Sequence, residues 1–176
     1  MHFTSGLILA LGLSFVAATP VTHPHSHARR ANSKVACTPE IKALVAGINK
    51  NIDIQKQELA QTKLISEAQT KNPPDEAAIK ADQAKLVEIV KEGAAVRANN
   101  QKIAPAGNAA LPGLAKVANA QAGELKIAEA LTGKTATDAK SLASLTEMFN
   151  GGIKQNQQNA KDVSFYSGSF IRQNGR

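Results

Sequence analysis

The side chains able to do chemistry are few in this 176-residue chain, and they are poorly placed for it. All four histidines, His2, His23, His25 and His27, lie at the front. His23, His25 and His27 alternate with proline and serine, a spacing that is no structural zinc pattern, and no cysteine stands beside them. Cys37 is the single cysteine. It cannot close an internal disulfide, so it is either a free thiol or the bridge of a homodimer. With no histidine beyond residue 27, neither a Cys-His nor a Ser-His-Asp arrangement can be assembled from the rest of the chain. Glu88 with Glu92, and Glu124 with Glu129, are the carboxylate pairs that glycoside hydrolysis would need. Set among alanines and lysines, they read as solvated helix surface. Asp75 and Glu76 read as favourable charge at a helix N-terminus. No glycine-rich phosphate loop is present. Catalysis is therefore not expected, and neither is a cofactor or a metal site.

The front of the chain explains where the histidines belong. Residues 7–18 form an apolar run shorter than the ~20 residues of a membrane-spanning helix and suited to a signal peptide. Val16 and Ala18 are the small residues a signal peptidase accepts, which places a cut after Ala18. Residues 19–30, Thr-Pro-Val-Thr-His-Pro-His-Ser-His-Ala-Arg-Arg, hold two prolines and cannot pack as a helix. They read as a propeptide ending at the dibasic pair Arg29–Arg30. Signal peptide 1–18, propeptide 19–30 and a single helical domain 31–176 is the expected organisation. Removal of both leader pieces would take every histidine and lower the formal charge of +7 by two. This layout resembles that of small secreted proteins of filamentous fungi. The resemblance rests on residues 1–30 and implies export to the medium or the cell wall. It carries no functional residue into the rest of the chain.

The elements follow from helix punctuation and apolar spacing. Thr38, Pro39 and Glu40 make a start signal. Ile41, Leu44, Val45, Ile48, Ile52 and Leu59 then recur at helical steps, predicting a first helix over about 38–70 with Gly47 as a weak interior point. Asn72-Pro73-Pro74 stops it. Pro74, Asp75 and Glu76 suit the first turn of a second helix carrying Ile79, Leu86, Ile89, Val90 and Ile103. A loop follows at 104–108, prolonged by Pro112–Gly113. A third helix carries Leu114, Val117, Leu125 and Leu131 and ends at Thr132–Gly133. In the fourth, Thr137 is the expected cap, Leu142, Leu145, Phe149, Ile153 and Val163 are the core face, and Gly151–Gly152 predicts a kink. A short tail begins at Phe165, where Phe165, Tyr166 and Phe170 interrupt a polar stretch and either dock on the bundle or contact a partner.

Short connections between helices predict an all-α fold, an antiparallel four-helix bundle or two packed helical hairpins, behind a disordered N-terminal leader. Alanine supplies much of the apolar content and buries little area per residue, so the bundle should be slim. The lysines spread along the helices; Lys34, Lys42, Lys50, Lys56 and Lys63 trace a basic stripe that reads as the solvated face of the first helix. Few aromatic residues are available to stack bases, which disfavours nucleic acid as a partner. The partner expected instead is a protein, a polysaccharide or a hydrophobic surface. A secreted interaction protein, effector-like or part of the cell surface, is the first reading. Adsorption of opened amphipathic helices to an apolar surface or lipid is the second.

Overall fold

The computed structural model describes the backbone of residues 38–173 and the side chains of residues 38–163. The expected signal peptide with Ala18, the expected propeptide with Arg29 and Arg30, and Cys37 lie outside the described residues. So do the side chains of Phe165, Tyr166 and Phe170.

Four helices account for nearly all of the described chain: α1 (Pro39–Thr70), α2 (Glu76–Ile103), α3 (Leu111–Glu129) and α4 (Thr135–Gln173). Each start has a local cause. Thr38 is extended, and its hydroxyl accepts from the Ile41 N–H at 3.3 Å, with Pro39 opening the helix where a missing N–H costs nothing. That same N-terminal turn holds the Glu40 carboxylate below its ordinary range through backbone and Thr38 hydrogen bonds. Asp75 caps α2 by accepting from the Ala78 N–H at 3.1 Å, so the helix begins at Glu76 and Pro74 stands before the first turn expected to hold it. The turn between α1 and α2 contains a cis Asn72–Pro73 bond.

Several details of the prediction need correction. Pro112 does not prolong the loop. It sits in the first turn of α3, where the fixed φ of proline suits a helix start, and Asn108 orders the approach by accepting from the Ala110 N–H at 2.9 Å. Thr137 does not cap the fourth helix, which begins at Thr135, with the Lys134 carbonyl taking the N–H groups of Thr137 and Asp138. The backbone of α4 continues across Gly151–Gly152 as one helix, as expected, but it also runs on through 165–173, where a tail was expected to begin at Phe165. The third helix ends at Glu129, with Ala130 as its C-cap, short of the expected stop at Thr132–Gly133, so Leu131 lies beyond it; Gly133 itself takes the expected left-handed conformation, with a φ of +82° that glycine adopts without strain.

The helices form an antiparallel square. α1 packs on α2 and α4, and α3 packs on the same two, with no packing across either diagonal among the described residues. Partners run in opposite senses along every seam. Lys50 meets Glu92 and Gln61 meets Asp82 between α1 and α2. Arg97 meets Glu124 and Lys91 meets Glu129 between α2 and α3. Asn156 meets Gln55 and Asp138 meets Gln69 between α4 and α1. The fold is thus the four-helix bundle expected from the loops.

The core is not one continuous stripe. One apolar cluster gathers Ile41, Leu44, Ile48, Ile52, Ala110, Leu114 and Val163 at the end where α1 begins. The other gathers Ile65, Leu86, Val90, Ala128, Leu142, Leu145 and Phe149 at the opposite end. Between them the interior turns polar.

A buried Glu-Arg-Glu belt as candidate functional site

The polar belt grows from residues that share the inward face of each helix with the apolar ones. On α1, Asn51, Gln55, Glu58 and Thr62 follow one another at four-, three- and four-residue steps, in phase with Leu44 and Ile48. On α4, Asn156 and Asn159 continue the phase of Phe149 into Val163. Arg97 and Asn100 supply α2, Gln121 and Glu124 supply α3. All are buried. Glu58 has 0% of its surface exposed, Glu124 1% and Arg97 3%.

Arg97 is the hub. Its Nε donates to Asn51 Oδ1 at 3.2 Å, its Nη1 to Glu124 Oε2 at 3.2 Å and its Nη2 to Glu58 Oε1 at 3.4 Å. Asn156 Nδ2 donates to Asn51 Oδ1 at 2.6 Å and to Gln55 Oε1 at 3.0 Å, and Asn159 Nδ2 donates to Asn156 Oδ1 at 3.2 Å. Gln121 Nε2 reaches the Val90 carbonyl at 2.8 Å. One network therefore ties all four helices at mid-height. The planar guanidinium fork makes this possible: it serves three acceptors on two helices at once, which a lysine ammonium does not match in geometry.

Glycines make the room. A methyl group on Gly152 would overlap the Gln55 amide, one on Gly113 the Asn159 amide, and one on Gly47 the Asn100 amide. Gly93 lies against both Arg97 and Glu58. The positions that read as weak points in the helices are those where long polar side chains press against a neighbouring backbone.

Electrostatics sets the protonation. Burial pushes the Glu58 carboxyl from an ordinary 4.5 up to about 8; Arg97 pulls it down and Glu124 adds to the rise. Burial likewise raises Glu124, against the pull of Arg97. Two carboxylates share one guanidinium in a medium that penalises net charge. The electrically neutral arrangement is one carboxylate, one carboxylic acid and one Arg97 cation, and burial favours it. Glu58 Oε2 has no hydrogen-bond partner among the described residues, and neither do Gln55 Nε2 or the two ends of the Asn100 amide.

A second polar node lies at the far end of the bundle. Asp138, 1% exposed, accepts from the Thr132 N–H and hydroxyl at 2.9 Å each, from the Gly133 N–H at 2.8 Å and from Gln69 Nε2 at 2.8 Å. Burial works to raise its pKa, but these donors together outweigh it and leave the carboxylate below its ordinary range. Asp138 thereby binds the α3–α4 turn to the end of α1.

The carboxylate pairs singled out by sequence come apart. Glu88 bonds Lys85 at 3.2 Å and Glu92 bonds Lys50 at 3.0 Å, all four on the surface. Glu129 turns outward to Lys91 at 3.3 Å, while Glu124 turns inward to Arg97. Its true neighbour is Glu58, which sequence reading passed over. The basic stripe of α1 is partly neutralised, since Lys50, Lys56 and Lys63 each hold an acidic partner. Asp75 is the cap of α2, held below its ordinary range by the Ala78 N–H and Lys71.

Among the recesses on the described surface, two lie beside the helix seams and turns. One of about 510 Å³ lies between α1 and α4, with Leu59, Ala139, Leu142 and Ala143 below and Thr62, Ser66, Thr135, Thr146 and Lys63 around it. The other, about 440 Å³, is lined by Glu76, Ile79, Lys80 and Gln83 with the 132–134 turn. Neither includes a member of the Glu-Arg-Glu triad. No group of three or more His, Cys, Asp or Glu with metal-binding geometry occurs among the described residues. No described helix is long and apolar enough to cross a membrane. No family model matches the chain, and no match emerges among curated proteins or solved structures.

Proposed function

We propose that this chain is a secreted, non-enzymatic interaction protein, effector-like or part of a cell surface, that binds through the outer faces of its helices. The observation that carries this reading is the position of Glu58, Arg97 and Glu124. They are the one convergent set of acid-base groups among the described residues, and they are spent on fastening the interior, 0–3% exposed. General acid-base chemistry needs a carboxyl within reach of a substrate. What the molecule offers to a partner is a polar helical surface, and the signal peptide expected at residues 1–18, with the propeptide expected at 19–30, supports delivery of that surface outside the cell.

The belt also weighs against adsorption by opened helices. Laid on an apolar surface, α1 would press Asn51, Gln55 and Glu58 into it along with Ile48 and Ile52. The test uses protein recovered from culture medium. Its intact mass should correspond to a chain starting at Ala31, and it should bind the surfaces of its own or neighbouring cells saturably while leaving hydrophobic beads bare. Saturable turnover of a substrate, or a coat on the beads under conditions where the bundle stays folded, would replace this reading.

A further inference from the structure

Two carboxyl groups and one guanidinium at the centre of a bundle do more than fix register. We propose that the belt is a proton-operated latch: a proton held by the Glu58–Glu124 pair keeps the four helices tightly closed in mild acid, and its loss under alkaline conditions loosens the bundle at mid-height.

The geometry supplies both states. Arg97 projects from α2 between Glu58 of α1, at 3.4 Å, and Glu124 of α3, at 3.2 Å. α4 faces the same space with the uncharged amides of Asn156 and Asn159. No second cation reaches the belt among the described residues; the paired lysines of α1, Lys50, Lys56 and Lys63, point to solvent with 59–77% of their side chains exposed. With one proton on the pair the belt is neutral. Without it the belt carries one net negative charge inside the protein, and Glu58 Oε2 meets no donor. Water is then the source of compensation, and because Gly93 of α2 is packed directly against Arg97, Glu58 and Ile54, it reaches the triad from that side only if α1 and α2 separate.

The other buried acid works in the opposite sense. Asp138 holds the α3–α4 turn only while ionised, through donors from Thr132, Gly133 and Gln69. Strong acid therefore loosens one end and alkali loosens the middle, which leaves mild acid as the range where the bundle is tightest. This inference concerns the fold and stands apart from the reading of the protein as a secreted binder.

The experiment is denaturation of the chain at pH 5, 7 and 9, followed by helical circular dichroism, with amide-exchange protection factors of α1 and α2 measured at the same pH values. In the unaltered protein the unfolding constant should rise by as much as about tenfold per pH unit in the window where the folded pair keeps a proton that the unfolded chain gives up. Glu58→Gln, which keeps the shape and fixes the neutral state, should remove most of that dependence and be as protected at pH 9 as the parent is at pH 5. A parent whose unfolding constant and protection stay within twofold from pH 5 to 9 overturns the latch, as does a Glu58→Gln protein with the parent's slope. Should Glu58→Gln fail to fold, carbon NMR of the side-chain carboxyls in the parent decides. One of the pair titrating above pH 6.5 upholds the latch, and both titrating below pH 5 overturn it.

Discussion

Replacing Arg97 with alanine tests the belt most severely. The change removes the donors to Asn51, Glu58 and Glu124 together and leaves two carboxyl groups facing each other in the interior. Breaking a buried ion pair from one side costs about 3–5 kcal/mol. With a urea dependence of about 1–3 kcal/mol per molar, the unfolding midpoint should fall by roughly 2 M, if the protein folds at all. The loss must depend on pH in a definite direction. Arg97 is what draws both carboxyl groups toward ionisation. Without it both stay protonated over a wider range, so Arg97→Ala should be least harmful near pH 5 and most harmful near pH 9. The triple exchange Glu58→Leu, Arg97→Met, Glu124→Leu removes charge from all three sides. Buried ion-pair networks replaced this way are often neutral or gain about 1–4 kcal/mol, so the triple variant should match or exceed the parent and lose its pH dependence between 5 and 9. Urea titrations with circular dichroism at three pH values provide the assay. If Arg97→Ala costs under about 1 kcal/mol at pH 7, or costs the same at pH 5 and pH 9, the reasoning from burial and pairing is wrong.

Other perturbations should behave as follows. In the unaltered protein, the Glu58 carboxyl binds its proton more tightly when folded, ordinary 4.5 becoming about 8. Its contribution is therefore full below about pH 4.5 and is lost as pH rises through about 8, at up to about 1.4 kcal/mol per unit; denaturation midpoints across that range will show it. Asp138, with a lowered pKa, contributes above the ordinary carboxylate range and loses its contribution as pH falls below it; Asp138→Ala should cost about 2–3 kcal/mol at pH 7 and nothing further in acid, read as a thermal midpoint. Gly151→Ala meets nothing within 4 Å and should stabilise α4 by roughly 0.5–1 kcal/mol. Gly152→Ala, one residue on, collides with the Gln55 amide and should destabilise by about 1–3 kcal/mol despite the same gain in helix preference. Phe149→Ala empties a site with no exposed surface and should cost about 3–5 kcal/mol in the same titration.

Most of the architecture was legible from punctuation. Thr38 with Pro39, the Asn72-Pro73-Pro74 stop and Gly133 each act through the local backbone, and local effects can be read from neighbours in sequence. The start of α3 was harder, because Pro112 suits a loop and a first helical turn equally well and only the bond from Asn108 decides between them. The belt escaped notice for a different reason. Apolar periodicity marks Leu44, Ile48, Ile52 and Ile65 and passes over Asn51, Gln55 and Glu58, although these occupy the same face. Two signals were available. Those polar residues keep helical phase with the core, and Arg97 is the single arginine between Arg30 and Arg172 in a chain that otherwise uses lysine. Neither signal names a partner. Glu58 and Glu124 lie 39 and 27 residues from Arg97, and only the packing of both α1 and α3 against α2 brings them together.

The central proposal is that the convergent acid-base groups Glu58, Arg97 and Glu124 are locked inside and that partners bind at the surface. Carbodiimide labelling of carboxyl groups in the native protein, read residue by residue by mass spectrometry, tests it directly. Glu88, Glu92 and Glu129 should label readily at pH 6, while Glu58 and Glu124 stay unmodified until the chain is unfolded. Labelling of Glu58 or Glu124 in the folded protein at the rate of those surface carboxylates would contradict the account.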